Sequence, residues 1–202
     1  MNKTHVMKAI EYARDGMFVP ESLTREMIEN TEIQKNQSIL VLFSYEMLPI
    51  LKELDYTDVT LAFDKPRTSI YNIAKYFGYK VKKLEEIENM KFDVGLGNPP
   101  FQNTHTAKRW PLWHEFVLNS IERTDKVAMI TPASLIGPGR VFDAIKNNLK
   151  VLNLNVKKHF NVGSSFCYFV YDISYKGKTK ILTENGNFNI DLSRSEEHTS
   201  EL

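Results

Sequence analysis

The sequence predicts an α/β fold, a mostly parallel sheet with helices on both faces and an antiparallel hairpin at one edge. Two observations predict it. Up to residue 150, short continuous apolar runs alternate with amphipathic segments, the pattern of strands joined by crossover helices. Beyond residue 150, strand-like segments follow one another across turns with no helical pattern between them, which suits antiparallel pairing at the side of such a sheet.

Each element has its own warrant. Five runs read as strands: Ser38 to Phe43, Val59 to Phe63, Tyr79 to Lys82, Phe92 to Leu96 and Lys126 to Thr131. They are too short for typical helices, and the most apolar of them suit strands buried on both faces. Asp64-Lys65-Pro66 and Pro132 stop two of them. Between them lie helical stripes: Leu23, Met27 and Ile28; Leu48, Leu51 and Leu54; Ile70, Ile73, Ala74 and Phe77; Leu112, Trp113, Phe116, Val117 and Ile121; and a fifth helix over Val141 to Leu149. Gly78 is placed to cap the third. The late strands are Val151 to Val156, Phe166 to Ile173 and Thr179 to Leu182, the last two joined across Lys176-Gly177-Lys178.

Composition narrows the function classes. With 202 residues, the chain holds one domain with a full core and little more. Hydrophobic residues make up 42% and charged residues 25%, as in globular proteins. No apolar run approaches the roughly 20 residues that a membrane span needs, and no apolar segment follows the N-terminal Met1 to His5. The expectation is a cytoplasmic protein with no membrane partner, in keeping with a single cysteine, Cys167, and hence no internal disulfide. His5, His105, His114, His159 and His198 are scattered without zinc-ligand spacing, so no metal is expected. A net charge of +1 does not by itself announce nucleic acid.

Ligands of doubly wound sheets bind beyond the carboxyl ends of the strands, near the point where strand order reverses. The tails to inspect are therefore Ser44-Tyr45-Glu46, Asp64-Lys65 and Gly97-Asn98-Pro99-Pro100-Phe101. In the last, adjacent prolines stiffen the backbone and remove two N–H donors. The carbonyls then point in set directions, Asn98 adds an amide acceptor, and Phe101 offers an aromatic face. These groups suit a planar molecule that carries an NH2. The plainer alternative is a turn capping a strand, with Phe101 in the core.

Phe92 to Gln102, FDVGLGNPPFQ, closely resembles the catalytic motif of adenine-specific DNA methyltransferases of restriction–modification systems and phages. The resemblance extends over most of residues 10–182. Phe18-Val19-Pro20 is similar to the family's Phe-Thr-Pro element; Trp113 to Phe116 and Val127 to Ser134 resemble its following helix and strand; Phe160-Asn-Val-Gly163 to Val170 resembles its late hairpin. The resemblance implies a Rossmann-like fold of the S-adenosylmethionine-dependent kind, S-adenosylmethionine as cofactor and double-stranded DNA as partner. It implies a catalytic set of Asn98, Pro99, Pro100 and Phe101. The target adenine is flipped out and stacked on Phe101, while the Asn98 side-chain carbonyl and the Pro99 backbone carbonyl accept hydrogen bonds from its amino group. Transfer is then a direct displacement governed by orientation.

Cofactor-binding candidates are Phe18 and Pro20, Glu46 for the cofactor's amino group, Asp64 for ribose hydroxyls, and Glu85 near the adenine. Asp64 reads equally as a turn cap before Pro66, and Glu85 as part of the solvated run Lys82-Lys83-Leu84-Glu85-Glu86. Lys108 and Arg109 are candidates for DNA phosphates, or else a solvated loop. One departure stands out: the family's first loop is glycine-rich, and residues 44–49, SYEMLP, contain no glycine. A shifted cofactor mode, a lost activity and a misplaced first strand all answer to it. Alternative functions are methylation of RNA or of protein glutamine, or a vestigial methyltransferase-like domain without catalysis.

The segment from Arg194 to Leu202, RSEEHTSEL, resembles the translation of a common sequencing adapter. The expectation is a methyltransferase catalytic domain over 1–193, a non-native tail over 194–202, and a natural gene that continues into a missing C-terminal target-recognition domain.

Overall fold

The computed structural model describes residues 18–101, 112–160 and 165–192. The elements run in the order α1 (Glu21–Thr31), β1 (Ile39–Leu42), α2 (Leu48–Glu53), β2 (Val59–Phe63), α3 (Thr68–Phe77), β3 (Lys80–Lys83), β4 (Phe92–Gly97), α4 (Leu112–Arg123), β5 (Thr124–Pro132), α5 (Arg140–Ile145), β6 (Leu149–Asn153), β7 (Phe166–Asp172), β8 (Thr179–Thr183) and β9 (Gly186–Ile190). The strands form one sheet in the order β3-β2-β1-β4-β5-β7-β6-β8-β9.

The apolar runs explain both the strands and the layers. In β1 all four residues are buried, because successive side chains enter opposite cores. Ile39 and Val41 join Leu23 and Met27 of α1, Leu51 of α2 and Ile73 of α3. Leu40 and Leu42 join Trp113 and Val117 of α4 and Phe142 and Ile145 of α5. The result is three layers, with α1 to α3 on one face and α4 and α5 on the other. Gly78 ends α3 as its sequence position implies: it takes φ 80°, and the Tyr79 N–H returns to the Ala74 carbonyl at 2.9 Å.

Strands β1 to β5 pair in parallel, and β8–β9 forms an antiparallel hairpin at the far edge. Three expectations change. The strand that begins at Phe166 is not at the side of the sheet. It enters between β5 and β6, antiparallel to both, and all seven of its residues are buried. The fifth helix stops at Ile145 instead of Leu149, because Leu149 already pairs with Tyr171 at the start of β6. Strand β6 in turn ends at Asn153, not Val156, although Val156 remains buried. Strand β9 was not anticipated, although Phe188 and Ile190 alternate with Asn187 and Asn189; its residues are mostly exposed.

Candidate active site at the sheet's carboxyl edge

Strand order reverses between β1 and β4, which lie side by side although β2 and β3 separate them in the chain. Their carboxyl ends feed the segments 43–47 and 98–101, and this is where the fold concentrates the sequence candidates.

The first loop opens with an unanticipated feature. Phe43 takes φ 62°, in the left-handed region where a bulky side chain is rare. The chain thus turns sharply at the end of β1, at Phe43, just before the glycine-less segment 44–49. The strained backbone is held by packing: the Phe43 ring meets Phe63 edge-on at 5.3 Å and Phe116 at 5.0 Å, and its N–H donates to the Ala62 carbonyl at 3.1 Å.

Beyond that turn, Ser44 is fully buried, and its Oγ accepts the Asn98 backbone N–H at 2.9 Å. Residues 54 apart in sequence are thereby joined. The preceding residue tightens the join. A Cβ on Gly97 would lie 2.6 Å from the Leu42 carbonyl oxygen, so only glycine lets the end of β4 approach the end of β1 this closely. Asn98 itself is half-buried, with its Oδ1 shielded from solvent. Pro99 is buried and Pro100 exposed. The Phe101 ring is half-buried and stacks on Phe166 with centroids 5.1 Å apart, and Phe160 abuts Phe166 at 5.9 Å.

Glu46 and the Phe18-Val19-Pro20 element also meet. Glu46 is 8% exposed, and its Oε1 accepts the Val19 N–H at 3.2 Å. Phe18 packs against the same core as Phe101, and the Pro20 carbonyl accepts the Thr24 N–H in the first turn of α1. Asp64 lies at the carboxyl end of β2, exposed. Glu85 sits in the turn Leu84–Ile87 that follows β3, with its side chain 70% exposed and 3.3 Å from Lys83 Nζ. The structure thus brings Phe18, Glu46, Asn98 and Phe101 to one rim, with Asp64 and Glu85 farther out on the strands beyond β1. Lys108 and Arg109 lie outside the described residues.

Sequence reasoning placed Ser44 in a tail to inspect but gave it no role, and it did not foresee the conformation of Phe43. The signal for Ser44 was available, since a serine directly after a buried strand lacks an apolar reason to be there. No pattern signals that a phenylalanine takes a left-handed conformation. Asp93 stands away from the site, at the amino end of β4, where its carboxylate accepts the Ser38 N–H at 2.6 Å and the Ser38 hydroxyl at 2.7 Å. These hydrogen bonds hold its carboxyl below the ordinary aspartate value. Cys167 is a core residue, and burial pushes its thiol up to about 12. Among the described residues no group of His, Cys, Asp and Glu could hold a metal ion, and no helix is long and apolar enough to cross a membrane.

No family model matches the chain. A Mycoplasma pneumoniae protein named as an uncharacterized adenine-specific methylase is 34% identical over 115 residues, covering 47% of this chain and 27% of that protein. The chain thus spans about a quarter of that relative's length. Among solved structures, a Listeria monocytogenes protein described as a class I S-adenosylmethionine-dependent methyltransferase superposes with a TM-score of 0.65 at 13% identity, over 89% of this chain and 71% of that one. The type IIG restriction endonuclease BpuSI superposes with a TM-score of 0.60 at 10% identity, over 88% of this chain and 28% of that one. The fold is that of class I S-adenosylmethionine-dependent methyltransferases.

Proposed function

We propose that this chain is the catalytic domain of an enzyme that moves a methyl group from S-adenosylmethionine to the exocyclic amino group of adenine in double-stranded DNA. One observation carries the reading: Asn98-Pro99-Pro100-Phe101 emerges from β4 at the strand-order reversal, tied to the end of β1 by the Ser44–Asn98 hydrogen bond. The name of the Mycoplasma pneumoniae relative, an uncharacterized adenine-specific methylase, and the fold likeness to BpuSI support the substrate class.

The residues at the rim suit the cofactor. Glu46 is a buried carboxylate at the carboxyl end of β1, suited to an ammonium group, and Asp64 at the end of β2 suits ribose hydroxyls. Phe18 and Pro20 would line its site, and Glu85 would lie toward its adenine. Bound there, S-adenosylmethionine supplies an activated methyl group. The chain's own contribution is orientation. Pro99 and Pro100 have no N–H, so that stretch of backbone offers acceptors only. The Asn98 side-chain oxygen, shielded in this structure, and the carbonyl of the buried Pro99 would have to be uncovered by the entering base; they would then accept its two amino hydrogens, which turns the nitrogen lone pair toward the methyl group. One face of Phe101 is taken by Phe166, so an extruded base stacks on the opposite face. Lys108 and Arg109 are assigned to backbone phosphates.

The test is transfer of labelled methyl groups to unmethylated DNA, with RNA and protein as parallel acceptors. We expect DNA to be labelled at adenine and Asn98→Ala to reduce transfer by at least about a hundredfold while the variant stays folded. Preferential labelling of RNA or of protein glutamine, or wild-type transfer by Asn98→Ala, overturns the reading.

A further inference from the structure

We propose that Ser44 is the positioning residue of the catalytic loop, setting the direction of the acceptors that hold the substrate amine. This inference rests on the function proposed above and extends it to a residue outside the resembled motif. Three observations carry it. Within Asn98-Pro99-Pro100 the only backbone donor is the Asn98 N–H, because the two prolines have none. That sole donor goes to the Ser44 Oγ at 2.9 Å, on a residue 0% exposed. The turn that delivers Ser44 there is the strained left-handed Phe43, whose cost persists only because its surroundings enforce it.

The consequence is mechanical. Gly97 sets how closely β4 approaches β1, and Ser44 sets the rotation of the peptide plane between Gly97 and Asn98. With φ locked at Pro99 and Pro100, that rotation carries through to the Asn98 side chain and the Pro99 carbonyl. Ser44 touches no reacting atom; it acts through Asn98. It also adjoins the turn Tyr45–Met47, in which Glu46 accepts the Val19 N–H, so the amine-holding loop and the carboxylate assigned to the cofactor share one support.

The experiment compares Ser44→Ala and Ser44→Cys, which remove the strong acceptor, with Ser44→Thr, which keeps the hydroxyl. Readouts are methyl transfer, cofactor affinity by calorimetry, thermal unfolding, and hydrogen exchange of the Asn98 amide in labelled protein. Expected for Ala and Cys is a fall in kcat on the order of tenfold to a hundredfold, the effect of a small misplacement of reacting groups. Cofactor affinity stays within about twofold of wild type, and Asn98 amide exchange accelerates. Ser44→Thr restores kcat and amide protection. Wild-type kcat with unchanged Asn98 protection in both Ala and Cys overturns the proposal, as does a kcat loss that follows a loss of cofactor affinity. Failure of the wild-type protein to methylate any nucleic acid overturns the function itself, and is read separately from the Ser44 series.

Discussion

At the scale of single residues, the site is built from two close backbone approaches. Gly97 was legible only as part of a motif; the structure supplies its physical reason, a Leu42 carbonyl oxygen 2.6 Å from where a side chain would begin. Gly97→Ala must push β4 away from β1. It should cost about 1–3 kcal/mol, as overpacking does, and reduce methyl transfer by more than that loss of folded protein accounts for. Thermal unfolding and a transfer assay on the same preparation check this, and a variant active and stable as wild type would show that the two strand ends are free to separate. Cys167 makes a simpler case. Its thiol is fully buried beside Thr131 Oγ1 at 3.3 Å and raised to about 12, so a thiol reagent at neutral pH should label it only as fast as the protein unfolds. Rapid labelling of native protein would place Cys167 outside the core.

At the scale of elements, periodicity located helices α1 to α4 and strands β1 to β8 within a few residues, because one-face and two-face burial leave different spacings. It could not say which strand lies beside which. The alternating and apolar runs after residue 150 read as side strands, yet β7 is buried along all seven of its residues. Its placement is recorded in side chains. Tyr168 donates to Glu26 Oε1 at 2.8 Å and accepts from Asn30 at 2.7 Å, while Asn153 donates to the same Glu26 oxygen at 2.7 Å. This polar set docks α1 onto β6 and β7; burial first, then the bond to Glu26, raises the Tyr168 hydroxyl above its ordinary value, with Asn153 and Asn30 opposing. Tyr168→Phe should therefore destabilise the fold by about 1–3 kcal/mol, the usual effect of depriving buried polar groups of a partner. Urea unfolding of the two proteins is the check; equal midpoints and slopes would mean that α1 docks by apolar contact alone.

For the whole molecule, the amino and carboxyl ends of the β1–β4 pair are fastened differently. At the carboxyl end the Ser44 Oγ accepts the Asn98 backbone N–H. At the amino end the Asp93 carboxylate accepts the Ser38 backbone N–H and hydroxyl, while the Asp93 N–H donates back to Ser38 Oγ at 3.0 Å. The Asp93 pKa is lowered, mostly by the Ser38 backbone bond, then by its hydroxyl, with burial opposing. A lowered folded-state pKa means that this stabilisation is fully present above the unfolded value, about 4, and is lost as the pH falls through the folded value. Denaturant unfolding of wild type and Asp93→Asn between neutral and acid pH should show a gap that is widest at neutral pH and closes below about pH 4. A gap that does not change with pH would assign the effect of the substitution to shape instead of charge.

The sequence by itself determined the class of fold and the donor and acceptor inventory of the segment that follows β4. Burial periodicity, proline stiffness and the acceptor inventory of Asn98-Pro99-Pro100 are local properties of the chain. Only the tertiary structure decided that β7 lies inside the sheet, that Phe43 takes a left-handed backbone, that Ser44 holds Asn98 across 54 residues, and that Glu46 meets Val19. Those are contacts between distant segments. They depend on which strand ends the sheet brings together, and no local spacing encodes that neighbourhood.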